Sequence, residues 1–199
     1  MSKKIKSLPN ILTISRIFLT PLCVYFLFSH HYLENEGFSS NALISFLIFI
    51  IASLTDAFDG YYARKHNLVS KLGAFLDPLA DKIMVVSVFL CFLYMYNDIV
   101  NIYILFMIIF RDVFVTLIRM FMQYKGQTMI TSGFSKIKTT VQIVAINLMF
   151  ICVVFNKVDI YSNYLYVLMM FTGILTFCTG LHYFASNYNN LKHMLINEK

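Results

Sequence analysis

Ile99-Val-Asn-Ile-Tyr-Ile-Leu-Phe-Met-Ile-Ile-Phe110-Arg111-Asp112-Val-Phe-Val-Thr-Leu-Ile-Arg119-Met-Phe-Met-Gln-Tyr124 is an apolar run with charge only at Arg111, Asp112 and Arg119. A helix of about 20 apolar residues crosses the hydrocarbon of a bilayer, so this run reads as a membrane span. Five further segments read the same way: Ile11 to Phe28, Ala42 to Arg64, Gly73 to Tyr96, Lys138 to Phe155 and Tyr164 to Asn187. Breakers and polar residues separate them, as at Glu34-Asn35-Glu36-Gly37 and Asn97-Asp98. The expected fold is all-α, a polytopic membrane protein with six transmembrane helices forming a single domain over residues 1–199. A short N-terminal interfacial helix is expected to lead into the first span. That span proper begins after Arg16 and is expected to kink at Pro21. Pro9 and Arg16 interrupt the opening run and no small-residue cleavage site follows, which argues against a signal peptide.

Composition agrees. The 199 residues are 59% hydrophobic and 13% charged, roughly half the charge of a soluble domain. A soluble globular enzyme, a disordered chain and a disulfide scaffold are excluded. Cys23, Cys91, Cys152 and Cys178 lie inside apolar runs without C-x-x-C spacing, so they read as reduced packing residues. The five histidines are scattered and pair with no Cys or Glu at ligand spacing.

With the N-terminus cytoplasmic, fifteen of the sixteen Lys and Arg residues fall on or toward the inner side, leaving Lys157 outside. Under the positive-inside rule this puts both termini in the cytoplasm. The net charge of +6 is then a topological signal and a contact with anionic membrane lipids. It is not a nucleic-acid face, because no basic surface interleaved with aromatics lies outside the apolar segments.

Chemistry concentrates in one place. Four of the ten acidic residues, Asp56, Asp59, Asp77 and Asp81, fall within 26 positions in or at the ends of apolar segments, where ionisable groups are costly. Asp56, Asp59, Gly60 and Ala63 share one helix face by spacing, as do Gly73, Asp77 and Asp81. A loop of about eight residues would make the two helices antiparallel neighbours with these faces opposed. Four close carboxylates repel unless cations neutralise them. An oxygen-only set suits Mg²⁺ or Mn²⁺, and four carboxylates have capacity for two ions. Alone, Asp59-Gly60 or Asp77-Pro78 would be an ordinary helix-end or turn signal; four acids on two faces are not. A divalent-cation transporter is the rival from another class, but it needs polar groups continuing to the outer face, and the outer halves are almost wholly apolar. An intramembrane prenyltransferase would place its two Asp motifs far apart in sequence.

The stretch Asp56-Ala-Phe-Asp59-Gly60-Tyr-Tyr-Ala63-Arg64, eight residues, then Gly73-Ala-Phe-Leu-Asp77-Pro-Leu-Ala-Asp81 resembles the D-x2-D-G-x2-A-R-x8-G-x3-D-x3-D signature of the CDP-alcohol phosphatidyltransferase family. The resemblance implies Asp56, Asp59 and Asp77 as metal ligands and Asp81 as ligand and general base. It also implies CDP-diacylglycerol contacts from Gly60, Ala63, Arg64, Ser70 and Gly73, and from the stretch Asn10, Ile11, Leu12 and Thr13. Leu8 to Arg16, Arg111 to Arg119 and Lys136 to Thr140 resemble segments of members that accept sn-glycerol 3-phosphate. Asp112 stands here for the usual Glu, and Ser135 for a Gly. The reaction so implied gives phosphatidylglycerophosphate and CMP in phospholipid biosynthesis. Cardiolipin, phosphatidylserine and phosphatidylinositol-type synthases, which share the Asp motif, are the rivals. A homodimer in a bacterial cytoplasmic membrane, with its active site on the cytoplasmic side, is also implied.

Glycerol 3-phosphate is a dianion, and its pocket needs fixed positive charge. Arg111 and Arg119, eight apart, lie nearly on one helix face, and Lys136 and Lys138 stand at the cytoplasmic start of the fifth segment. Plain topological anchoring is the rival reading for the two lysines. An arginine about a dozen residues into a span needs an anionic partner; for Arg111, Asp112 and Asp98 are the structural candidates.

Overall fold

The computed structural model describes residues 3–32, 37–66, 71–124 and 134–196, with side chains for residues 15–31, 37–55, 82–122 and 137–188. The described chain forms six α-helices: α1 (Lys3–Tyr32), α2 (Ser40–His66), α3 (Lys71–Met95), α4 (Ile102–Tyr124), α5 (Phe134–Val154) and α6 (Val158–Ile196). No strand occurs among the described residues. Each helix covers all or nearly all of one of the six apolar segments. Two differences from expectation concern boundaries. The interfacial helix is not a separate element but the beginning of α1, which continues through Pro9 and Pro21. The connection between α2 and α3 is also shorter than eight residues, because helix runs through His66 and resumes at Lys71.

The helix ends follow local chemistry. Ser39 caps α2, its hydroxyl accepting from the Ala42 N–H at 3.2 Å. Asn101 does the same for α4, Oδ1 accepting from the Ile104 N–H at 3.0 Å. Helix α5 closes on Asn156 at φ 50°, with Asn156 N–H donating to the Val153 carbonyl and Lys157 N–H to that of Cys152. This paired closure places a left-handed residue just beyond the helix. Gly37, at φ 98°, supplies the other such backbone in the turn before α2.

The chain divides into two compact units, Met1–Met95 with Asn147–Tyr161, and Tyr96–Ile146 with Ser162–Lys199. In the first, α1 packs on both α2 and α3. Its buried apolar residues include Cys23, Leu27, Ala42, Phe49, Ala52, Phe89 and Phe92. Phe150 meets the rings of Phe46, Phe49 and Phe92 at centroid distances of 5.2–5.6 Å. Ser45 donates to the Cys23 carbonyl at 2.8 Å, tying α1 to α2. In the second unit Ile104, Ile108, Met122, Ile146 and Met169 are buried. Close approach of α4 and α6 there uses glycine: a Cβ at Gly173 would stand 3.3 Å from Ile104 Cγ2.

Large apolar side chains line the outside. Phe18, Ile51, Tyr103, Phe106, Leu117, Ile160, Tyr164 and Val167 are all more than half exposed. A water-soluble monomer rarely exposes so many large apolar side chains. Two helical stretches, Ile137–Val154 and Val158–Tyr188, are long and apolar enough to cross a membrane by length and composition. These features describe a membrane protein.

Candidate functional site

The second unit buries an ion cluster. Arg111 and Asp112 sit midway along α4, and Lys138 lies near the start of α5; they are 6%, 4% and 6% exposed. Lys138 Nζ donates to Asp112 Oδ1 at 2.6 Å, and Arg111 Nη1 donates to the same oxygen at 3.2 Å. One carboxylate oxygen therefore collects two cations from two helices. This resolves the partner of Arg111: it is Asp112, whereas Asp98 is exposed in the turn before α4. It also bears on Lys138. A lysine that merely anchors a helix reaches outward to the headgroups, but this ammonium is turned inward onto a carboxylate.

The cluster continues as a polar seam. Gln142, one turn beyond Lys138 on α5, donates Nε2 to Thr176 Oγ1 of α6 at 3.3 Å. Thr172, Thr176, Thr179 and Asn187 of α6 are buried too. Thr172 and Thr179 satisfy their hydroxyls on backbone carbonyls of their own helix, at 2.8 and 2.7 Å. Asn187 donates Nδ2 to the Tyr183 carbonyl at 2.9 Å, and its buried Oδ1 has no hydrogen-bond partner among the described residues.

Gly180 lies against Arg111. A Cβ there would stand 2.6 Å from Arg111 Cγ, so any larger residue would displace the arginine stem. Beside this contact is a hollow of about 220 Å³ lined by Phe110, Phe114, Phe177, Phe184 and the arginine itself. The Phe110 and Phe114 rings stack at 5.6 Å. The aliphatic part of Arg111 is thus seated in phenylalanine while its guanidinium is directed to Asp112.

Arg119, also expected in the pocket, is not part of this cluster among the described residues. Arg119 lies two turns further along α4, about 12 Å along the axis, and shares no hydrogen bond with the trio among the described residues. Lys136 belongs to the first turn of α5, and its side chain lies outside the described residues. Arg16, expected at the mouth of the first span, is instead 2% exposed within α1; its carbonyl accepts from the Thr20 hydroxyl at 2.9 Å.

The acidic motif falls on helical backbone. Asp56, Asp59, Gly60, Ala63 and Arg64 are in the C-terminal part of α2, and Gly73, Asp77 and Asp81 in the N-terminal part of α3. Asn10, Ile11, Leu12 and Thr13 are in α1. The side chains of all of these, and Ser70 entirely, lie outside the described residues, as does the expected opposition of the two acidic faces. Among the described residues no group of three or more His, Cys, Asp or Glu is placed to hold a metal ion. A metal site therefore rests on the donor set: four carboxylates at fixed helical spacing, the chemistry a hard divalent cation prefers.

Sequence reasoning missed the seam beyond Lys138. Its signal is faint but present: Lys138 and Gln142 are four apart on α5, and Thr172, Thr176 and Gly180 are four apart on α6. That spacing makes one polar or small stripe on each helix.

The fold and the site define a helical membrane protein that buries two cations on one carboxylate. The sequence pattern of the CDP-alcohol phosphatidyltransferase family matches residues 6–178, and the chain belongs to that family. It is 38% identical over 197 residues to a CDP-diacylglycerol--glycerol-3-phosphate 3-phosphatidyltransferase of Bacillus subtilis, covering 94% of this chain and 97% of that one. A protein of the same name from Rickettsia typhi is 31% identical over 181 residues, covering 91% and 97%. A "Probable cardiolipin synthase (CMP-forming)" of Drosophila melanogaster is 31% identical over 210 residues, covering 96% of this chain and 60% of the relative.

Proposed function

We propose that this chain transfers the phosphatidyl group of CDP-diacylglycerol to sn-glycerol 3-phosphate, releasing CMP and forming phosphatidylglycerophosphate for phospholipid biosynthesis. The observation that carries the choice of acceptor is the buried pair Arg111 and Lys138 on one carboxylate. The pair brings a guanidinium and an ammonium from two helices to one buried point, the donor chemistry that holds a phosphate. The relatives named for glycerol 3-phosphate support the same acceptor.

Asp81 acts as general base, taking the proton of the acceptor's C1 hydroxyl. The hydroxyl oxygen then attacks the phosphorus attached to diacylglycerol, and the bond to the CMP oxygen breaks. Asp56, Asp59, Asp77 and Asp81 would hold Mg²⁺ or Mn²⁺, two ions in all, which when bound offset the pyrophosphate charge. Arg64 offers paired donors to the pyrophosphate. Gly60, Ala63, Ser70, Gly73 and the stretch from Asn10 to Thr13 accommodate the rest of CDP-diacylglycerol. Arg111 and Lys138, assisted by Arg119 and Lys136, hold the acceptor phosphate.

All six helices span the membrane in this reading. Both termini and the active site face the cytoplasm of a bacterial cell, as the fifteen-to-one distribution of basic residues supports. A homodimer is the assembly. The test offers purified protein CDP-diacylglycerol with glycerol 3-phosphate, serine, inositol phosphate or phosphatidylglycerol and identifies the lipid formed. Phosphatidylglycerophosphate with stoichiometric CMP is expected. Cardiolipin or another lipid as the sole product would overturn the acceptor assignment.

A further inference from the structure

In the seam of the second unit, Asp112 has the wrong sign to hold a phosphate, yet it is the residue on which both cations converge. We infer that Asp112 and Gly180 are positioning residues for the acceptor phosphate, Asp112 fixing the charged ends of Arg111 and Lys138 and Gly180 fixing the stem of Arg111. The inference rests on the reading of Arg111 and Lys138 as the phosphate-holding pair.

Lys138 Nζ and Arg111 Nη1 both donate to Asp112 Oδ1, at 2.6 and 3.2 Å. The cations come from different helices, so the shared oxygen places two repelling groups at one point that neither helix alone would define. All three side chains are buried, where a charge held by a good hydrogen bond has little freedom to wander. The other acid among the described residues of this unit, Asp98, is exposed. Asp112 is thus suited to gather the pair. A neutral side chain there would leave the cations to move apart, and a site for a dianion would have to be reassembled at each binding event.

Gly180 acts on the other end of Arg111. A methyl group at this position would stand 2.6 Å from Arg111 Cγ and 3.4 Å from its Cβ, contacts that require the stem to shift. The hollow beside the stem, lined by the pairs Phe110–Phe177 at 6.3 Å and Phe114–Phe184 at 5.7 Å, is where a displaced stem would go. Displacement of the stem carries the guanidinium with it.

A purely structural ion pair and a positioning residue differ in kinetics. The experiment measures kcat and both KM values for the full chain in membranes, where KM does not depend on how much protein is folded. Arg111→Ala and Lys138→Ala come first. If neither raises the KM for glycerol 3-phosphate more than about twofold, the phosphate reading fails and positioning fails with it. Where they do raise it, Asp112→Asn and the smaller Asp112→Ser should raise it about tenfold or more, with the KM for CDP-diacylglycerol within about twofold of the parent. Asp112→Glu, which keeps the carboxylate, should recover most of the loss. Gly180→Ala should raise the acceptor KM severalfold with the same selectivity. Lower protein yield with both KM values unchanged in the Asp112 variants would overturn the role of Asp112, and an unchanged acceptor KM in Gly180→Ala would overturn that of Gly180. Equal rises in both KM values would overturn positioning as the explanation.

Discussion

Phe150 in the first unit lies among Phe46, Phe49 and Phe92, and elsewhere in that unit the Cys23–Ser45 contact joins α1 to α2. In the second unit Lys138 and Gln142 point into the core, meeting Asp112 and Thr176. Helices in lipid gain no hydrophobic advantage from associating, so they pack by contact and by hydrogen bonds. The rings around Phe150 use the former. The second unit instead joins two helices through a buried ion pair, and a desolvated ion pair is at best a weak source of stability. Stability is therefore a weak account of that cluster, while packing accounts for the rings around Phe150.

The largest effect is expected in the acidic motif. Asp56→Ala, Asp59→Ala, Asp77→Ala and Asp81→Ala should each abolish CMP release while the protein still inserts. EDTA should do the same to the parent, with Mg²⁺ or Mn²⁺ restoring activity. Full activity in any one variant would remove that residue from its role, and activity resistant to chelation would remove the metal. The cluster should instead govern acceptor affinity. Hydrogen bonds to charged groups contribute about 1.5–3 kcal/mol, so Lys138→Ala should raise the KM for glycerol 3-phosphate by roughly 10- to 150-fold. Arg64→Ala should impair use of CDP-diacylglycerol first.

Phe150→Ala probes the other side of the comparison. It should lower the temperature of unfolding in detergent and leave both KM values unchanged. Its cost should fall below the roughly 3–5 kcal/mol typical of a buried phenylalanine in a soluble core, because lipid replaces water as the solvent outside. A KM shift for glycerol 3-phosphate would break the distinction between the cores.

The smallest effect concerns His30, beyond the end of the first apolar segment at Phe28. Its Nδ1 lies 2.7 Å from the Ser39 hydroxyl that caps α2. Burial pushes the imidazole below its usual range, and the neighbouring charge of His31 adds to this. A lowered folded value means that the unfolded chain takes up the proton more readily. Stability from this group is complete above the ordinary histidine range, about 6.5, and declines as pH falls through it. The parent should lose thermal stability between pH 7 and pH 5, and His30→Gln should flatten that slope. An unchanged slope would show that other groups set it.

Much of this was legible beforehand. Six apolar runs became six helices because run length and hydropathy act locally, and each run is long enough to satisfy its own backbone. The motif from Asp56 to Asp81 was legible because its residue types and spacings are unusual in an apolar chain. The positions of Arg111 and Lys138 were visible for the same reason, charge amid hydrocarbon. What each charge faces was not. Asp98 and Asp112 were equal candidates as partners of Arg111, and Lys138 read equally well as an anchor, because sequence gives spacing along one helix and not the neighbour across the gap. The tertiary structure alone decided that Asp112 collects both cations, that Gly180 makes room for the arginine stem, and that Gln142 reaches Thr176. Those contacts join positions 26 to 69 residues apart. They follow from how helices pack side by side, which no single helix encodes.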